Sequence, residues 1–293
     1  MLWFTLSLLT AFLSATEAAL AKRLCGDLPP LAMAAYVLAY STPLFLVGWA
    51  LTPLPPLAPG FWYTFLLILP FNLAGTMLYL QAINISPLSL TMPYLAATPL
   101  VTMVFGATLL GEFPDIWGLL GILSVVGGSF VLNLDPNRDP SQGFSLLDPL
   151  RAVLRERGSL FMLIAALIFG FTSALGKKLI LQSSPAYAGA VFPLVHNLVL
   201  LTLILGSGKV RPWLLLARPG KGLVIGVCSF LHLFCHFFAI SYVAAAYMVS
   251  IKRLNGVFAV LYGGLLFKEA NFKYRLAGAL LMSTGTIFFT LAN

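Results

Sequence analysis

Lys252 and Arg253 are adjacent cations inside the apolar run 243–267, and Glu17 is a lone carboxylate inside the apolar run 1–21. A charge near the middle of a bilayer costs about 2.5–3.5 kcal/mol on insertion scales, so it faces a polar cavity or a partner. The stretch after Arg253, LNGVFAVLYGGLLF, falls short of the ~20 residues a crossing needs. A crossing that starts at Val243 instead carries Lys252 about 14 Å along its axis. Two cations against at most one acid leave uncompensated positive potential, which suits an anion. Arginine offers a planar fork for phosphate or carboxylate, and lysine a movable point charge. Neighbours on a helix point about 100° apart, so one cation can hold a guest while the other pairs with Glu17. Glu17 has a second reading as a protonatable coupling residue. The structural alternative is that both cations snorkel or merely neutralise Glu17.

Other polar residues fall in the same apolar zone. Cys228, His232 and His236 recur every four residues and so share one helix face. That spacing suits a metal, but no acidic ligand or second cluster accompanies it, so cavity lining or interhelical hydrogen bonding is expected and no metal or cofactor is. Asn72, Tyr79, Tyr94 and Asn197 join Lys252, Arg253, Glu17, His232 and His236 as candidate substrate-binding residues. His196, Tyr36 and Tyr40 have a similar character. Pro93 and Pro99 are expected to kink the run that holds them.

These residues need elements to position them, and composition says which. Of 293 residues, 60% are hydrophobic and 9% charged, against roughly 25% charged in soluble domains. The mean hydropathy is +0.96. So few charges cannot cover a water-soluble surface, which excludes a soluble enzyme, a nucleic-acid binder and a disordered chain as first readings. The net charge of +8 is scattered over short loops, where basic residues fix orientation in a membrane. Three cysteines form an odd set with no disulfide framework. Residues 1–21 lack a basic leader and read as an uncleaved first helix.

Apolar runs near 1–21, 31–52, 61–82, 86–110, 114–134, 159–181, 186–206, 221–241, 243–267 and 272–291 give ten spans. The long connection, 135–158, begins turn-rich and continues as a short amphipathic stretch, Leu146 to Leu154, suited to a membrane surface or to a solvated linker helix. Overlaying the halves exposes a repeat. AFLSATEAALAKRL (11–24) lies over ALIFGFTSALGKKL (166–179), aligning Lys22 with Lys177. Residues 82–134 lie over 239–291 without a gap, aligning Gly106 with Gly263, Glu112 with Glu269, Gly121 with Gly278 and Gly128 with Gly285. Each half holds an odd number of spans, so the second enters the membrane upside down. Inverted repeats of this kind characterise secondary transporters, with the substrate site near the midplane. The expected fold is therefore an all-α integral membrane protein, ten transmembrane helices as two inverted five-helix repeats around a central cavity. Its domains are 1–134, the connection 135–158, and 159–293. Connections after odd-numbered spans, with the adjoining span ends, carry thirteen basic residues, and those after even-numbered spans only Lys177 and Lys178. The positive-inside rule then places both ends outside the cytoplasm.

The pattern resembles the drug/metabolite transporter superfamily, specifically its EamA-type members. The resemblance covers nearly the whole chain and is carried most specifically by LYLQAINISPLSLTMPYLAATPLVTMVFGATLLGE (78–112) and FFAISYVAAAYMVSIKRLNGVFAVLYGGLLFKE (237–269). It implies ten helices around a cavity, alternating access, and transport of a small organic solute without a prosthetic group. Ser250 to Arg253 is also similar to plastid phosphate translocators, whose adjacent Lys-Arg pair binds the substrate phosphate. Those proteins carry a further lysine where this chain has Leu95, and EamA-type exporters usually keep both ends in the cytoplasm, opposite to the charge count here.

The resulting expectation is a secondary transporter of a small, anionic metabolite in the inner (plasma) membrane. Its partners are the solute and the bilayer, with no nucleic acid, and it is a monomer or homodimer. The alternatives are an exporter of amino acids or amphipathic compounds and, from another class, a non-transporting membrane subunit or a lipid-modifying enzyme. The enzyme reading lacks histidines in the loops, since His196, His232 and His236 all lie within spans.

Overall fold

The computed structural model describes residues 1–86, 91–132, 156–266 and 272–291. The amphipathic stretch 146–154 and Glu269 lie outside the described residues. All regular elements among those described are helical. In chain order they are α1 (Leu2–Cys25), α2 (Pro30–Leu51), α3 (Phe61–Ile85), a 3-10 turn (Met92–Ala97) leading into α4 (Thr98–Leu110), and α5 (Ile116–Leu132). The second half has α6 (Arg157–Leu181), α7 (Pro185–Gly206), a 3-10 segment (Pro212–Leu216), α8 (Pro219–Ser241), α9 (Ala245–Lys252), α10 (Asn255–Leu265) and α11 (Phe272–Leu291). Six of these helices are long and apolar enough to cross a membrane alone. The 3-10 turn with α4 makes up the fourth span, and α9 with α10 the ninth.

Local chemistry explains the starts and stops. Pro30, Pro185 and Pro219 open α2, α7 and α8, where the missing N–H is no loss. Ser184 caps α7 by accepting the Tyr187 N–H at 3.2 Å, and Glu156 caps α6 through the N–H groups of Gly158 and Ser159. Gly111 ends α4 at φ 70°, a left-handed stop natural to glycine. Large apolar side chains such as Leu66, Leu203, Leu223 and Ile287 stay exposed on the outside. On helices this apolar all round, such a surface is the one lipid covers.

Packing follows the repeat. α1 lies along α8 as α6 lies along α3; α2 meets α7, the fourth span meets the ninth, and α5 meets α11. Each pair is unchanged, or exchanged for an equivalent one, when span n is replaced by span n + 5. The repeat glycines make the last of these contacts. A Cβ on Gly128 would fall 2.5 Å from the Met282 nitrogen and 2.8 Å from the Gly278 carbonyl oxygen, and one on Gly285 would fall 3.0 Å from the Gly121 carbonyl oxygen. Only glycine lets the two backbones come this close.

Both repeat-equivalent spans depart from straight helix in the same register. The 3-10 turn at 92–97 occupies the place that 249–254 holds in the second half. There the Arg253 and Leu254 N–H groups reach the Ser250 and Ile251 carbonyls, which tightens one turn around the cation pair. Pro99, expected to kink the fourth span, is instead the second residue of α4, where proline fits.

Lys177, read as a charge at the end of its span, is instead buried in α6 at 7% exposure. Its Nζ donates to the Glu112 carboxylate and, at 2.7 Å, to the Val243 carbonyl. The second Glu112 oxygen accepts the Ala245 N–H, the first of α9, at 2.8 Å. The helix runs on past Lys177, and this set of partners makes its burial tolerable.

Candidate functional site

A cavity of about 460 Å³ opens between the halves. Pockets for small molecules typically measure about 300–1,000 Å³. α3, α6, α7, α8 and α9 wall it with a buried apolar cluster that includes Ile68, Leu179, Phe192, Phe237 and Val249. Onto these walls the fold projects its polar groups: Glu17 from α1, Asn72 and Tyr79 from α3, His196 and Asn197 from α7, His232 and His236 from α8, and Lys252 and Arg253 from the tightened turn of span nine.

Eight of the nine candidate residues named from sequence thus line one space. Tyr94 does not. It lies beside Ser159 near the start of α6, beyond the cavity. Its place in the 3-10 turn rotates it away from the face that a continuous helix would have shared with Thr98, which does line the cavity. Tyr36 and Tyr40 are structural, their hydroxyls donating to the Leu214 and Leu215 carbonyls at 2.5 and 2.7 Å.

The hydrogen bonding is selective. Glu17 pairs with His232 across the halves, Oε2 to Nδ1 at 3.0 Å. Neither Lys252 nor Arg253 has an ion pair among the described residues. Arg253 is the electrostatic neighbour of Tyr79, and Lys252 of Glu17, His232 and His236. Asn197 donates to the Ser41 hydroxyl at 3.0 Å, which fixes its amide, and Asn72 donates to Thr172 at 3.3 Å. Cys228 points away from the imidazoles, its thiol donating to the Leu13 carbonyl at 3.3 Å. Several cavity nitrogens are buried with no hydrogen-bond partner among the described residues: His196 Nε2, His232 Nε2, His236 Nδ1 and Arg253 Nε. An unsatisfied buried donor or acceptor costs about 1–3 kcal/mol, so these atoms mark where a polar guest would bond.

Sequence reading missed the hydroxyls of Ser41, Thr76, Thr98, Thr172, Ser173 and Ser229, all in the lining. Serine and threonine also sit in helices bonded to their own backbone, as Thr76 does to the Asn72 carbonyl at 2.9 Å. Their identity therefore carries no signal of position. The Glu112–Lys177 pair was missed too, although the repeat register had already marked both residues.

Comparison with known proteins agrees with this architecture. The model of the EamA-like transporter family matches residues 1–134 and 156–291. No curated protein sequence matches the chain. Among solved structures, a crystal structure described only as that of a protein superposes with a TM-score of 0.71, covering 98% of this chain and 96% of its own, at 19% identity. At that identity the likeness concerns the fold alone.

Proposed function

Because the chain belongs to the EamA-like transporter family, whose members move small solutes across membranes, we propose that it is a secondary transporter of a small organic anion. One observation carries this reading. Lys252 and Arg253 face a cavity whose lining, among the described residues, contains a single carboxylate, and that carboxylate is bonded to His232. With the histidines neutral, the lining carries a net charge of +1. In a space walled largely by apolar side chains, that charge is poorly screened and favours a negative guest. Arg253 would grip the anionic group, and Lys252 would add charge from the next position. Phe169, Phe192 and Phe237 would cover the carbon skeleton.

Movement would come from rocking of the inverted halves about the α5–α11 and α2–α7 contacts, exposing the cavity to each face in turn. The basic loops after odd-numbered spans favour an orientation with both ends outside the cytoplasm, in the plasma (inner) membrane. The partners are the solute and the bilayer, and the protein acts as a monomer or homodimer. The aromatic lining, with Glu17 as a place for an ammonium group, favours a second reading, in which an amino acid or amphipathic solute is carried.

Thermal shift of the purified protein with phosphorylated sugars, carboxylates and amino acids separates the two, since a ligand that binds only the folded state raises its melting temperature. Anions should stabilise the wild type and fail to stabilise Arg253→Ala. In proteoliposomes, Lys252→Ala and Arg253→Ala should lose at least tenfold in anion uptake. Unchanged uptake in both variants would falsify the anion site.

A further inference from the structure

We propose that Glu17 and His232 together form a proton-binding site, and that the chain carries its anion with a proton in the same direction. The proposal rests on the anion reading above and adds its coupling ion.

The geometry is that of a dyad spanning the two halves. Glu17 comes from α1 and His232 from α8, with Oε2 and Nδ1 3.0 Å apart and both side chains largely shielded. His232 Nε2 is buried without a hydrogen-bond partner among the described residues, so the ring has an open position for a proton. The groups around the pair are cations, phenols, thiol and imidazoles. α9 supplies Lys252 and the turn after it Arg253; α3 supplies Tyr79, α7 His196, and α8 itself Cys228 and His236. α10 places Tyr262 on Thr16, next to Glu17, hydroxyl to hydroxyl at 2.6 Å. The lining residues of α2 and α6 carry no titratable side chain.

Charge bookkeeping gives the coupling its sign. With Glu17 ionised and His232 neutral, the site holds Lys252 and Arg253 against one carboxylate. A proton taken from one face of the membrane goes either to His232 Nε2, giving an imidazolium–carboxylate pair, or to Glu17, giving a neutral acid. Both raise the site by one positive charge, so the sum does not depend on which atom holds the proton. An anion binds better to the more positive site, and linkage requires it to strengthen proton binding by the same factor, typically 5–150-fold for coupled sites. Once the anion has left, Lys252 and Arg253 oppose the proton. The empty site and the doubly loaded site are thus favoured over either half-loaded state, which is the condition for co-transport. Were Glu17 only a fixed counter-charge, no proton would move with the anion.

The test is proton uptake on anion binding, with purified protein in weakly buffered solution between pH 5 and 9. Benzenesulfonate is the main probe because its own charge stays constant there; glucose 6-phosphate and succinate follow, corrected for their own titration. Binding should draw up to one proton per anion, and affinity should fall on the order of tenfold per pH unit where the slope is steepest. Glu17→Gln should bind benzenesulfonate with the wild type's low-pH affinity across pH 5–7.5. Glu17→Gln with His232→Gln should show no proton uptake in that range, with thermal melts checking that each variant folds. Binding without proton uptake in the wild type overturns co-transport and leaves the anion site standing. Uptake that persists in the double variant moves the proton to another group, Lys252 first, and overturns the dyad. Failure of all three anions to bind overturns the anion reading, and this one with it.

Discussion

Among single residues outside the membrane zone, Glu156 has the clearest pH signature. Burial pushes its carboxyl up, but hydrogen bonds from the Ser86 hydroxyl and from Ser159 and Gly158 outweigh this, bringing it from 4.5 to about 2. These bonds tie the end of α3 to the start of α6. A carboxylate held below its unfolded value stabilises the fold above that value and loses the contribution as pH falls toward the folded one. Glu156→Gln should therefore melt below the wild type at pH 7, and the two melting curves should converge between pH 4.5 and 2. Curves that stay parallel would show that the cap contributes no ionised-state stability. Asp27 behaves similarly. The bidentate Arg218 hydrogen bonds lower its carboxyl, but the pair is exposed and weak. Lys252, Arg253 and Glu17 were legible in sequence because a charge in an apolar run is conspicuous. Tyr94 was misplaced because tyrosine is ordinary on any helix face, and a local 3-10 turn decides where it points.

Between elements, the Glu112–Lys177 pair joins the ends of α4 and α6 to the start of α9, and neither residue lines the cavity. Removing one partner of a buried ion pair leaves an uncompensated charge and costs about 3–5 kcal/mol, whereas replacing both is much milder. Lys177→Met should lower the melting temperature in detergent markedly, and Glu112→Gln with Lys177→Met should recover most of the loss. If the double variant is no more stable than the single one, the charges are not coupled and the damage is steric. The repeat register drew attention to these residues, but sequence alone did not pair them, because a glutamate before a loop and a lysine near a helix end both read as solvated. The α5–α11 contact was more legible. Glycines recurring in one ungapped register need a shared cause, and close backbone approach at an interface both halves build alike supplies it.

At the scale of the whole molecule, the asymmetry of loop charge predicts the orientation. With Cys25, Cys228 and Cys235 replaced, a cysteine at Lys209 should react with an impermeant maleimide only from the cytoplasmic side, and one at Lys178 only from the opposite side. The reverse labelling would invert the topology and show that loop charge does not set it here. Composition alone determined that the chain lives in a bilayer, because nothing else accommodates so many apolar side chains with so few charges. The repeat and the odd number of spans in each half pointed to two inverted halves around a central cavity. Only the tertiary structure decided who meets whom inside it. Glu17 and His232 are 215 residues apart, and Glu112 and Lys177 65 apart. Periodicity fixes the face a side chain takes on its own helix, whereas the partner on that face depends on how separate helices cross and rotate, which packing of the whole bundle sets.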